Sequence, residues 1–226
     1  MNRKRHDYFK HHNYKLTAVV LSISAAILYC LWFLGYWLNP VAMANLDVSA
    51  LQARGQPHYA FFVVGDIATG LLVVLLVACL IKVFHRTIVH RKVSFWLCMI
   101  GLLAFGLMTA IACLLRSCDS NSYVCVQNLT QVFDLHDVTG GIASFGQFIS
   151  LIGALILIRK TAYRKIFRST LLLTIVWSLC GLIFIIVSTN SLHFALFMQH
   201  LFLVLSSLCL VAVPWGIIKS KFPDSL

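Results

Sequence analysis

The chain has 226 residues, of which 60% are hydrophobic and 11% charged, with a formal net charge of +11 and no Glu at all. Soluble domains carry roughly 25% charged residues, so an ordinary soluble domain is excluded and a polytopic membrane protein is indicated. The positive charge does not signal nucleic acid, because no base-stacking aromatic pattern accompanies it.

Crossing the hydrocarbon takes about 20 apolar residues of helix. Six stretches qualify, in order Leu16–Leu38, Tyr59–Phe84, Val93–Leu115, Val138–Ile158, Thr170–Val187 and Leu192–Ile218. The first could be mistaken for a secretory signal, since Ala42-Met43-Ala44 resembles a cleavage site. Signal cores are only about 7–15 residues long, so the segment reads as the first span.

The charges alternate along the chain. All basic residues except Arg54 and Arg116 fall in four clusters: Arg3 to Lys15, Lys82 to Lys92, Arg159 to Arg168, and Lys219 with Lys221. Lys and Arg remain on the cytoplasmic side of a span, which puts both termini in the cytoplasm. The expected organisation is all-α: a basic tail over residues 1–15, a six-helix membrane domain over 16–219, and a short tail over 220–226. Anionic headgroups at the cytoplasmic face are the expected partners of the basic clusters, and the expected location is a cell membrane, multi-pass. The chain carries no signal of oligomeric state.

Kinase loops, Walker-type runs and dinucleotide fingerprints are absent, and no internal repeat suggests a transporter. The third loop, on the outer side, holds Cys118 and Cys125, placed to form a disulfide in an oxidising compartment. Closing so short a loop stabilises by roughly 2–3 kcal/mol on the chain-entropy model. Asn128-Leu129-Thr130 matches a glycosylation sequon, a pattern short enough to arise by chance.

The ionisable and amide side chains inside the spans gather toward the outer ends. Asp66 lies roughly 10 Å below the outer end of the second helix, with Thr69 one turn on. Thr109 has similar depth in the third helix. The fourth begins with His136 and continues to Gln147, and the sixth carries His193 and His200, the latter at the depth of Asp66. Arg54 and His58 are placed at the rim. Intramembrane ionisable groups are costly unless paired or hydrated and mark function by default.

Three readings of this cluster are open. In one, Asp66, His200, Gln147 and Thr109 form an interhelical network that fixes packing. In another, a pocket of Arg54, Asp66, Thr69, Thr109, His136, Gln147, His193 and His200 faces the outside and binds a lipid headgroup or small polar ligand. In the third, Asp66, His136 and His200 hold a metal such as zinc and activate water for lipid hydrolysis. His193 fits such a set poorly, because it lies roughly 10 Å from His200 along the helix. The reading adopted is a non-enzymatic membrane protein with an outward polar pocket and no cofactor, in which Asp66 and His200 pair if their helices are neighbours.

The first outer loop carries Asp47-Val48-Ser49-Ala50-Leu51, then Ala53-Arg54-Gly55-Gln56-Pro57, then Gly65-Asp66 and Gly70. This pattern, with the Cys118…Cys125 loop leading to His136-Asp137, resembles a family of bacterial six-helix membrane proteins catalogued as domain-of-unknown-function family number 998. It is similar more distantly to the DRAM and Frag-type six-helix proteins, with Ser49, Gly55 and Phe61-Phe62 in the matching places. The resemblance implies a six-helix bundle in a bacterial inner membrane with a structured first loop, and no assigned activity.

The topology is tested by reporter fusions: a fusion after Lys160 is expected to report cytoplasm and one after Ser120 the outside. A cytoplasmic signal from the second would overturn the depth assignments.

Overall fold

A bilayer leaves no water for an exposed peptide group, so long apolar segments satisfy their backbone internally as helices. The computed structural model describes residues 2–45, 48–53, 55–85, 87, 89, 92–115, 135–159, 163–187 and 192–220, without the side chains of 2–12, 44, 45, 192 and 193. Helix α1 (Asn2–Tyr29), a 3-10 turn (Leu31–Leu34) and α2 (Gly35–Leu38) build the first span. The first loop contains α3 (Pro40–Asn45) and a second 3-10 turn (Val48–Gln52). The remaining spans are α4 (Tyr59–Phe84), α5 (Val93–Leu114), α6 (Leu135–Ile158), α7 (Arg164–Val187) and α8 (Leu192–Lys219). Among the described residues six helical spans are long and apolar enough to cross a membrane. The protein is an all-α, six-helix membrane protein.

Neighbours in sequence pack side by side: α1 on α4, α4 on α5, α5 on α6 and α7 on α8. Helix α8 also packs on α1 and on α6, closing the ring, while α7 touches α6 more lightly. The first and fifth spans are the least buried. Between lipid-embedded helices, association comes from close packing rather than from hydrophobic burial. Glycine provides it here. A Cβ on Gly101 of α5 would lie 2.4 Å from the Ser150 nitrogen and 2.5 Å from the Gly146 oxygen of α6. A Cβ on Gly70 of α4 would lie 2.4 Å from the Gly106 oxygen of α5. Around these crossings Leu76, Leu80, Met99, Leu102, Phe105 and Leu151 are almost fully buried.

Two features differ from the apolar pattern. The first span is not one helix but breaks at Cys30, where Phe33 N–H bonds the Cys30 carbonyl at 3.0 Å in a tighter turn. Contacts on both sides accompany the break: Leu31 sits against Gly65 of α4, and Gly35 is covered by Leu51 and Met43. Trp32 thereby turns inward while Phe33 stays exposed. The fifth helix begins at Arg164, six residues before its apolar run, because Arg and Lys are good helix formers outside the hydrocarbon. Pro214 lies inside α8, which continues to Lys219.

Hydrogen bonds between spans are few and specific. Gln147 of α6 donates from Nε2 to the Ser206 carbonyl of α8 at 2.8 Å, and Trp177 of α7 donates to Ser206 Oγ at 2.8 Å. Ser22 of α1 donates to the Leu210 carbonyl of α8 at 2.8 Å.

Gly101→Leu is expected to abolish a monodisperse detergent-solubilised protein or to lower its Tm sharply, because backbone rather than a flexible side chain opposes the new atoms; overpacking typically costs about 1–3 kcal/mol. Gly140→Leu, where a Cβ meets nothing within 4 Å, is the control expected to leave Tm unchanged.

Candidate functional site

One end of the bundle is roofed by the first loop, and the loop's own sequence explains its shape. Pro40 opens α3, where a missing N–H costs nothing, and Asn39 caps it by accepting from the Ala42 N–H at 3.3 Å. Asn39 Nδ2 also donates to Gln56 Oε1 at 2.8 Å, drawing the two ends of the loop together. Gly55 (φ 94°) and His58 (φ 59°) are left-handed, which turns the chain sharply into α4. Trp32, Ala42, Met43, Val48, Leu51 and Phe62 form a small apolar core beneath, with Leu203 and Val204 of α8 packed against it.

Side-chain amides fasten this roof to the bundle. Gln199 of α8 accepts from the Val48 N–H at 3.0 Å. Gln52 Nε2 donates to Asp66 Oδ2 at 2.5 Å, joining the second 3-10 turn to α4. The same carboxylate oxygen is 3.8 Å from Cys113 Sγ of α5. The thiol has one proton and a nearer acceptor, the Thr109 carbonyl at 3.2 Å, so the amide is the principal partner of Asp66. His136 lies within electrostatic range of Asp66. Its Nδ1 is 2.9 Å from the Ala112 carbonyl; since a carbonyl only accepts, this nitrogen carries the proton and ties α6 to the end of α5.

A second polar locus lies on the other side of the roof. His200 Nδ1 is 2.6 Å from the Leu196 carbonyl and therefore donates to it. The ring packs 4.7 Å from Trp32 and 5.9 Å from Tyr36, centroid to centroid. These three residues, with Phe33, Met43 and Phe197, line part of a cleft of about 420 Å³. Trp32 Nε1 and His200 Nε2 are both buried, and neither has a hydrogen-bond partner among the described residues.

The sequence-derived cluster therefore divides. Asp66 and His200 do not pair: the carboxylate is held by Gln52, and the imidazole by its own helix and by Trp32. Thr69 donates to Gly65 of its own helix at 2.9 Å, and Gln147 faces Ser206. Thr109 is buried, its carbonyl serving Cys113. The metal alternative is not supported, because among the described residues no group of three His, Cys, Asp or Glu is placed to hold an ion. Arg54, Cys118, Cys125 and the sequon lie outside the described residues, as does the side chain of His193. The cysteines Cys30, Cys79, Cys98, Cys113, Cys180 and Cys209 are free thiols.

Gln52, Cys113 and Trp32 were not singled out by the sequence reading. Gln52 had one signal: an amide between the two halves of the loop pattern that leads to Asp66. Trp32, in an aromatic run, had none. No family model, no curated protein and no solved structure matches this chain.

Gln52→Ala removes the loop's bond to Asp66 and is expected to expose Cys113, raising maleimide modification of the Cys113 peptide several-fold by mass spectrometry. A hydrogen bond to a charged group contributes about 1.5–3 kcal/mol, so a modest fall in Tm is also expected. Unchanged labelling would show that the loop is held closed by its apolar core alone.

Proposed function

We propose that the protein binds one neutral amphiphile from the outer leaflet in the cleft between the broken first span and α8. The observation that carries this reading is a pair of buried, unpartnered nitrogens on two residues that line the cleft, Trp32 Nε1 and His200 Nε2. Leaving such a group without a partner costs about 1–3 kcal/mol. An indole N–H only donates, and the neutral His200 ring, with its proton on Nδ1, only accepts at Nε2. One hydroxyl both accepts and donates, so a ligand ending in a hydroxyl satisfies the two together. The volume falls within the roughly 300–1,000 Å³ of small-molecule sites. Phe33 and Phe197 are exposed beside the cleft, giving an entering hydrocarbon an apolar border.

Asp66 belongs to this function as the anchor of the roof. Gln52 adjoins Leu51, and Leu51 and Met43 cover Gly35 at the cleft's edge. The charge pattern supports a cell-membrane protein with the first loop outside. The first-loop resemblance supports a bacterial inner membrane and kinship with the six-helix family named above.

The test is photo-crosslinking in nanodiscs with a photoactivatable diacylglycerol, a photoactivatable sterol and a photoactivatable phosphatidylcholine. One of the two hydroxyl lipids is expected to label the Trp32 or Leu196–Leu201 peptides in preference to phosphatidylcholine. Trp32→Phe with His200→Leu keeps the walls apolar and is expected to reduce that preference about tenfold, the equivalent of one lost hydrogen bond. Equal labelling by all three lipids in both proteins would rule the reading out.

A further inference from the structure

We propose that the cytoplasmic half of the bundle holds one anionic phospholipid, its acyl chain in a groove between α1, α7 and α8 and its phosphate between Lys15 and Lys219. The site is separate from the outer cleft and does not depend on it. Helices α1 and α7 each pack along α8, and the groove of about 470 Å³ lies where the three meet. Val19 and Ile23 of α1, Leu173 of α7, and Leu208, Val211 and Trp215 of α8 supply its walls. The one hydroxyl there, on Ser22, is engaged with the Leu210 carbonyl, so the groove wall is mostly hydrocarbon.

Charge at one end of the groove identifies the occupant. Lys219 Nζ stands 4.7 Å from the centroid of the Trp215 ring, one turn beyond the last wall residue. Lys15 occupies the equivalent place on α1, one turn before Val19 and on the same face. Arg164, Lys165 and Arg168 add exposed positive charge at the start of α7. Among the described side chains the acids are Asp66 and Asp137, and both lie at the opposite end of the bundle. These cations have no carboxylate near them among the described side chains. A phospholipid phosphate complements them while its chain fills the adjoining groove. The Trp215 face holds the Lys219 ammonium at the mouth before lipid arrives, because a ring's negative face attracts a cation.

Native mass spectrometry of the full-length protein, delipidated in detergent, tests the site by titration with phosphatidylglycerol against phosphatidylcholine of the same chain length. One phosphatidylglycerol is expected to be retained with about 25-fold preference, from about fivefold for each of the two lysines, and the preference is expected to shrink at high salt. Lys15→Gln and Lys219→Gln are each expected to reduce it several-fold, whereas Lys82→Gln, at the inner end of α4, leaves it unchanged. Ala212→Phe fills the groove and is expected to reduce retention of both lipids; should that variant not fold, the surface lysine variants still decide. Equal retention of the two lipids, or an equal loss from Lys82→Gln, would show only diffuse surface attraction and overturn the proposal. So would a dimer that Ala212→Phe dissociates, since the groove would then seat a second copy of the chain.

Discussion

Inside a bilayer a polar group finds its partner within the protein or goes without, and that constraint accounts for most of this structure. Ser144, Thr170 and Thr174 hydrogen-bond carbonyls of their own helices, so their hydroxyls place no demand on neighbours. Of the groups that do reach across, Gln147, Trp177 and Ser22 end on α8, at Ser206 or Leu210, while His136 of α6 ends on the Ala112 carbonyl of α5. The last span thus gathers bonds from α1, α6 and α7. Three of the four buried polar atoms that lack a described partner belong to Trp32, Gln52 and His200, under the first loop. The fourth is Gln147 Oε1 between α6 and α8, so among the described residues unmet polar atoms concentrate under the first loop without being confined to it.

That distribution gives Asp66 a definite place. A carboxylate at this depth is tolerable when a strong donor is fixed against it, and the donor is carried by the loop rather than by another span. The loop gains in turn, because a short segment with a small apolar core has few contacts to keep it closed. Acid and loop stabilise one another: unfastening the loop would leave the carboxylate without its amide. The Val48–Gln199 bond repeats the device on α8, so the roof is held at two separated points, on α4 and on α8.

Hydropathy made the six spans legible, since it is a one-dimensional property that a bilayer reads directly. Depth was legible too: Asp66 and His200 both lie under the first loop. Rotation about each helix axis was not. Depth alone paired Asp66 with His200, yet α4 packs between α1 and α5 while α8 packs against α1, α6 and α7. Depth left Gln147 open between a packing network and a pocket; its amide turns toward Ser206 of α8, an interhelical bond. The break at Cys30 was hidden because a 3-10 turn and an α-helix have the same hydropathy. It depends on Gly65 and on Met43 and Leu51, distant residues whose arrival no local pattern announces.

The seam between α1 and α8 explains why both clefts occur where they do. Ala18, Ala25 and Ala26 are buried on α1, small enough to let the two helices approach. Ser22 bonds the Leu210 carbonyl at 2.8 Å, and Cys30 Sγ lies 3.0 Å from Ser207 Oγ. Because the Ser207 hydroxyl donates to Leu203, the thiol is the donor to Ser207. These bonds pin the seam at its middle, and on either side the helices are free to part. On the inner side larger residues, Val19, Ile23 and Trp215, meet across a gap that α7 only partly covers. On the outer side the 3-10 turn carries the chain away from the α-helical path and opens the space beside His200. A seam closed at the centre and open at both ends presents one apolar recess to each leaflet. The residues at the two ends differ: Lys219 stands over Trp215 at one, and an unpartnered indole N–H and imidazole nitrogen lie at the other.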